Sequence, residues 1–394
     1  MPTDATFLLA GLFIALGAIV YLYKMYTDRD RDLPPQINAD YLRGLSLVLN
    51  RRTDEALELF VQMAKVDDDT LETHFALGHL FRRRGEMERA IRVHENLLAR
   101  PNLNEAQRHQ ALFSLAEDYL GAGLFDRAEQ LFSQLRDSTT LAEAALEKLV
   151  SIYEREQEWQ KAIEALRKLE ILRGTKSSQV AHYYCELAEI ARAAGDRALA
   201  REHLRNTVRS ESGALRGTLI RATLAREEQD YAQAIPLYEQ VIAADRHFIS
   251  EVLPALLDCY RAADRPREFD AYVGDLIAKE PSAYRDLAYG AIIGDLRGSS
   301  ALEGAVERFV FEHPVLANLV NAAELRALPA AQRAAAIQRI AGSLRSIALA
   351  NARYRCSNCG YSTQRFIWHC PSCKLWETVR PIQSVPLENV LARP

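Results

Sequence analysis

Small residues recur along this chain at two alternating intervals. Alanine stands at 56, 90, 128, 162, 200 and 234, so the successive gaps are 34, 38, 34, 38 and 34 residues. Twelve residues before each lies Gly44, Gly78, Ala116, Val150, Ala188 or Ala222. Four residues after each lies Phe60, His94, Phe132, Leu166, Leu204 or Tyr238. The pattern predicts paired antiparallel helices. Two helices approach closely only where a small side chain sits at the crossing, and each pair must hide its remaining apolar face on a neighbour. Turn signals fall between the paired helices at Arg84-Gly85-Glu86, Ala122-Gly123-Leu124 and Ala194-Gly195-Asp196. Beyond residue 250 the register weakens, but Leu257 to Pro281 and Ala288 to Pro314 still read as helix pairs and Leu316 to Ala350 as further helices. The array is expected to fill residues 38–350 with about eight or nine pairs.

This periodicity resembles the tetratricopeptide repeat. Such an array presents first-helix side chains to a concave groove. On this register the candidates are Phe75, His79, Arg82, Arg83, Phe113, Glu117, Glu147, Glu189, Arg192 and Arg226. Mixed charge with some aromatic character suits a protein or peptide ligand, and for any single position a solvated face serves equally well.

Before the array, Ala5 to Tyr23 is a run of 19 residues without a charge. As a helix it would reach roughly 28 Å, close to the ~30 Å hydrocarbon core of a bilayer. A cleaved leader would carry a basic head, whereas this chain starts Met1-Pro2-Thr3-Asp4. The expectation is a retained anchor over 1–24 and a linker over 25–37 containing Pro34-Pro35. Lys24, Arg29 and Arg31 follow the span and no basic residue precedes it, which predicts a body facing the cytoplasm.

Four of the six cysteines crowd into Cys356-x2-Cys359 and Cys370-x2-Cys373, ten residues apart. Each hairpin can aim two thiolates at one point, and two hairpins complete a tetrahedral site for iron or zinc. Gly360 follows the first pair where the turn needs a positive φ, and Lys374 holds the matching place as a looser fit. A module over 353–383 is too small to fold on apolar burial alone, so the metal is its expected core. Tyr354, Tyr361, Phe366, Trp368 and Trp376 are expected to stack around it, with His369 as a packing residue. Residues 384–394 form a tail.

Composition narrows the field. With 48% hydrophobic and 26% charged residues the chain is a folded one, and a net charge of −4 argues against a phosphate-tracking surface and so against nucleic acid. No phosphate-binding glycine loop or HExxH is present. His182 and Cys185 could be imagined as base and nucleophile, but no third group orients the histidine. A non-enzymatic adaptor is expected.

The order of parts, all-α with an N-terminal transmembrane helix, a tetratricopeptide superhelix and a small rubredoxin-like knuckle, resembles the lipopolysaccharide assembly protein B family. The stretches GHLFRRRGEMERAIRVHENLL, AHYYCELA and RYRCSNCGYSTQRFIWHCPSCKLWETVRPI carry the likeness. It implies a single-pass bacterial inner-membrane protein that regulates lipopolysaccharide synthesis. Its implied partners are an FtsH-type membrane protease, the lipid A pathway deacetylase it presents for degradation, and an opposing inner-membrane lipopolysaccharide sensor. It also implies a metal on Cys356, Cys359, Cys370 and Cys373. A role as a non-proteolytic scaffold, and a homodimer, are left open.

Overall fold

The computed structural model describes residues 39–66, 71–208 and 214–385. The expected anchor and linker, and most of the tail, lie outside the described residues. Among the described residues no helix is long and apolar enough to cross a membrane. The chain divides into two compact units at Ile152/Tyr153.

The first unit contains α1 (Ala39–Leu49), α2 (Thr53–Val66), α3 (Leu71–Arg83), α4 (Met87–Leu98), α5 (Glu105–Gly121), α6 (Phe125–Gln134) and most of α7 (Ala142–Glu156). The second contains α8 (Trp159–Arg173), α9 (Gln179–Ala193), α10 (Arg197–Val208), α11 (Ala214–Glu227) and α12 (Tyr231–Ala244). A 3₁₀ turn at Arg246–Phe248 leads to α13 (Ile249–Ala262), α14 (Pro266–Lys279), α15 (Ala283–Gly294) and α16 (Ser300–Glu312). Short α17 (Pro314–Leu319) and α18 (Ala322–Ala327) precede α19 (Ala330–Ala350). A small antiparallel sheet follows, β1 (Tyr354–Cys356), β2 (Ser362–Thr363) and β3 (Val379–Pro381), in the order β2-β1-β3.

The recurring residues are the packing contacts. All six alanines of the register are fully buried, and the six larger residues four places on are buried as well. Gly78 shows why a small residue is needed: a Cβ there would stand 2.4 Å from Nε2 of His94, its partner sixteen residues on. At Gly44 the same atom would meet the Phe60 ring at 2.5 Å.

A third periodic signal is conformational. Five residues before each alanine the backbone turns left-handed, at Arg51, Gly85, Gly123, Gln157, Gly195 and Gln229, with φ between 58° and 81°. These residues close one helix and admit the next, and only three of them are glycine. A further left-handed residue, Asp264 at φ 55°, follows Gln229 after 35 residues, a gap outside the alternation. Five residues on, the alanine position is taken by fully buried Phe269, with Leu257 and Val273 buried at the two flanking offsets. A seventh unit in the register therefore exists. Its helices start at Ile249 and Pro266, and the next pair starts at Ala283, several residues ahead of the sequence-based limits.

Candidate metal centre

Two hairpins bring the cysteine sulfurs together. Gly360 and Lys374 both adopt positive φ, 77° and 59°, so the lysine makes the same turn as the glycine. Their amides donate to the carbonyls of Cys356 and Cys370 at 3.0 and 2.9 Å. The four Sγ atoms lie within 4.8 Å of one another. Cys356 to Cys373, and Cys359 to Cys370, are each 3.7 Å apart. A tetrahedron of thiolates at a bond length of about 2.3 Å has edges of roughly 3.8 Å, so the donor set and its spacing fit one S4-bound ion. That spacing suits iron and zinc alike.

The four sulfurs are not equivalent. The Cys356 thiol is lowered to about 6, chiefly by its hydrogen bond with the Thr378 hydroxyl, 3.3 Å away. Burial raises Cys370 to about 11. A coordinated metal would deprotonate both outright. Cys359 is exposed, so the site lies with one ligand at the surface. His369 is no part of the donor set: its Nε2 lies 3.0 Å from the Lys374 carbonyl and its ring stacks on Trp376.

The aromatic residues correct the sequence-based picture in part. Tyr354 lies in the knuckle's own core with Cys356, Cys370 and Val379, and Phe366 packs against that core as well as against Phe248, whereas Trp368 and Trp376 turn outward and seat the knuckle on the second unit. The indole of Trp376 is held between His369 and His182 of α9, with centroids 4.5 and 5.0 Å away and planes within 13° and 10°. Its edge meets Trp159 and Tyr183, and its Nε1 donates to Glu154 at 3.1 Å. Trp368 stacks on Phe248 at 5.5 Å, and Phe366 meets the same ring edge-on. Arg216 of α11, only 4% exposed, pairs with Glu186 at 2.8 Å and lies over both Trp368 and Trp376. At the rim Arg353 pairs with Glu251 at 2.9 Å and Arg380 with Asp245.

This seat also accounts for AHYYCELA. His182 lies beneath Trp376, and burial lowers its pKa to about 3, with Arg216 acting in the same direction. Burial pushes the Cys185 thiol up to about 12. Neither is placed as a nucleophile or its base. Sequence reasoning missed Glu154, Trp159, Glu186, Arg216 and Phe248. Their signal would have been polar and aromatic residues unexplained by the repeat register.

The candidate groove residues fall into pairs along successive first helices. In the first unit Arg82 binds Glu117 at 2.8 Å and buried Asp118 at 2.6 Å, and Lys148 reaches Glu117 at 2.7 Å. Asp118 also holds His94. His79 lies 3.3 Å from Ser114, while Phe75 lies near His94 and Phe113 packs edge-on against Phe132. In the second unit Arg192 joins Glu189 to Glu227. Arg226 is half-buried, and Arg83 and Glu147 are exposed.

Comparison with known proteins agrees with both parts. A family model described as a rubredoxin metal binding domain matches residues 354–381. Tetratricopeptide repeat models match 73–106, 113–176 and 185–247. A relative from Escherichia coli (strain K12), named lipopolysaccharide assembly protein B, is 32% identical over 358 residues, 90% of this chain and 92% of its own. One of the same name from Haemophilus influenzae is 28% identical, covering 97% and 98% of the two chains. At that identity and coverage the chain belongs to the lipopolysaccharide assembly protein B family.

Proposed function

We propose that this protein regulates lipopolysaccharide assembly as an inner-membrane adaptor, holding the lipid A pathway deacetylase to an FtsH-type protease so that the enzyme is degraded. The observation that carries the reading is the match to relatives named for lipopolysaccharide assembly over nine-tenths of the chain. In this reading residues 1–24 are the tether, an inner-membrane lipopolysaccharide sensor opposes the adaptor, and the cytoplasmic body carries the partner surfaces. The candidates for those surfaces are the groove residues from Phe75 to Arg226. The work done is a rise in effective concentration: substrate and protease share one membrane surface, and the adaptor itself breaks no bond. The metal would hold the knuckle together on Cys356, Cys359, Cys370 and Cys373, and the knuckle's seat on α9 and α11 would keep one surface rigid for a partner.

The test is the half-life of the deacetylase in cells depleted of this protein and complemented with wild type or with Cys356→Ser/Cys359→Ser. The expected outcome is a long-lived enzyme on depletion, with turnover restored by wild type alone. An unchanged half-life would replace this reading with that of a scaffold docking synthesis and export proteins without control of proteolysis.

A further inference from the structure

The repeat register singles out one residue on α11. Directly before Gly78, Ala116, Val150 and Ala188 stand Leu77, Leu115, Leu149 and Leu187, the first three buried and the last half-buried. Directly before Ala222 the same place holds Arg221. Arg43 occupies it on α1, but that side chain is exposed, whereas Arg221 is half-buried. A second departure lies one place after the register's alanine. Leu57, Ile91, Ile163 and Ile235 are aliphatic there, while Glu129 and Arg201 are charged. Arg201 and Arg221 come together. Both line a pocket of about 300 Å³ between α10, α11 and α12, over a floor of buried Leu204, Leu224 and Ala225. A guanidinium set where other repeats pack leucine forgoes apolar burial and costs desolvation, which an ionic partner offsets.

The chain does not supply that partner. Arg205 lines the pocket too, and Glu228 is its one carboxylate among the described residues. Glu228 is held by Arg201, with Arg197 3.9 Å away. Among the described residues neither Arg205 nor Arg221 forms an ion pair with a carboxylate. Arg221 donates from Nη2 to the Thr218 hydroxyl at 2.9 Å, and its Nε is shut off from solvent without a hydrogen-bond partner. Two acidic groups stand close by in the chain but outside the lining: Asp196 caps α10 by accepting from the Leu199 amide at 2.9 Å, and Glu202 is exposed. The pocket therefore carries three positive charges against one negative.

Two unmatched guanidiniums call for a dianion. A phosphate monoester carries about −1.5 to −2 at pH 7 and takes guanidinium donors in pairs, whereas a carboxylate brings a single charge. The aliphatic floor gives no donor to further oxyanion oxygens and suits an apolar ester group. At about 30 Å³ for each water-sized group the volume holds roughly ten, enough for a phosphate and a short carbon chain. We propose that this pocket binds a small-molecule phosphate monoester, with the phosphate on Arg205 and Arg221 and its organic group on Leu204 and Leu224. The inference does not rest on the proposed role in lipopolysaccharide assembly.

The test is isothermal titration of the full chain, in phosphate-free maltoside micelles, with butyl phosphate as the probe. One saturable site per chain is expected, with butyrate, butanol and inorganic phosphate each weaker by roughly tenfold or more. Phenylglyoxal modification mapped by mass spectrometry is expected to show Arg205 and Arg221 protected by butyl phosphate and Arg43 not. Arg221→Leu restores the residue that four other repeats carry, so it is expected to cut affinity by roughly tenfold or more while the urea midpoint stays or rises. Arg205→Gln removes an exposed charge and is expected to weaken binding as much with folding unchanged, so it decides if Arg221→Leu unfolds early. Absence of saturable binding, full affinity in either folded variant, protection spread over the chain's arginines, or equal binding of butyrate or inorganic phosphate would each overturn the proposal.

Discussion

Replacing Trp376 with alanine tests how the knuckle is held. The indole meets five groups of the repeats: the stacked His182 ring, Trp159 and Tyr183 edge to face, the Arg216 guanidinium, and the Glu154 carboxylate that accepts from Nε1. Truncating a tryptophan packed in a core costs about 3–5 kcal/mol. Trp376 is half-exposed and one of its faces is spent on His369 within the knuckle, so the lower end applies, about 3 kcal/mol. At about 1.4 kcal/mol per tenfold, the seated population loses a factor of roughly 10² relative to the released one. Amide hydrogen exchange reads this directly. In Trp376→Ala the amides of β1 and β3 and of α9 around His182 are expected to exchange faster, while the first unit is unchanged. Trp376→Phe keeps an aromatic face and loses the hydrogen bond, so it is expected to lose only about 1 kcal/mol. Metal content is expected to remain at one per chain in both, because all four cysteines remain. Wild-type protection of the knuckle in Trp376→Ala would refute the argument that this side chain is the principal anchor.

Three further outcomes follow from the geometry. Gln229 is exposed and holds φ 61°, a conformation that favours glycine, so Gln229→Gly is expected to raise stability by about 1 kcal/mol in chemical denaturation; a loss would show that the side chain contributes more than the strain. Burial lowers His182 to about 3 and, together with Arg82, lowers His79 to about 4, so below pH 6.5 the unfolded chain binds protons that the folded chain refuses. Stability is therefore full above pH 6.5 and is lost as the pH falls toward 3; His182→Asn should flatten the fall in the urea midpoint, and an unaltered slope would contradict the assignment. Cys370→Ser removes the fully buried ligand and is expected to abolish metal binding and the protection of β1–β3, which elemental analysis and hydrogen exchange would check; unchanged metal stoichiometry would count against the S4 site.

The sequence legibility of this protein divides by the range of the interaction. The alanine register predicted buried positions because a helix crossing is a local demand repeated six times. It faded at Phe269, where the same left-handed turn at Asp264 is followed by a large residue in place of a small one, so composition hid what backbone geometry retains. The metal ligands were legible because spacing alone fixes a two-hairpin site. Their surroundings were not. Glu154 and Trp376 are 222 residues apart, and nothing local to either names the other. The knuckle's aromatics read as its own small core because a 30-residue segment seen alone has nowhere else to bury them. Supplied with the α9 and α11 surfaces, the two tryptophans turn outward, while Phe366 keeps its place against Tyr354.

The seat of the knuckle has a spectroscopic consequence. The chain contains three tryptophans, Trp159, Trp368 and Trp376, and all of them lie at this one junction. Excited at the red edge, the protein's own emission therefore comes from a single locality in 394 residues. A blue, quenched spectrum marks the closed junction and a red-shifted one its opening, with no label to attach. Titrating metal, pH or a partner against that signal turns the native chain into its own gauge of whether the two parts are joined.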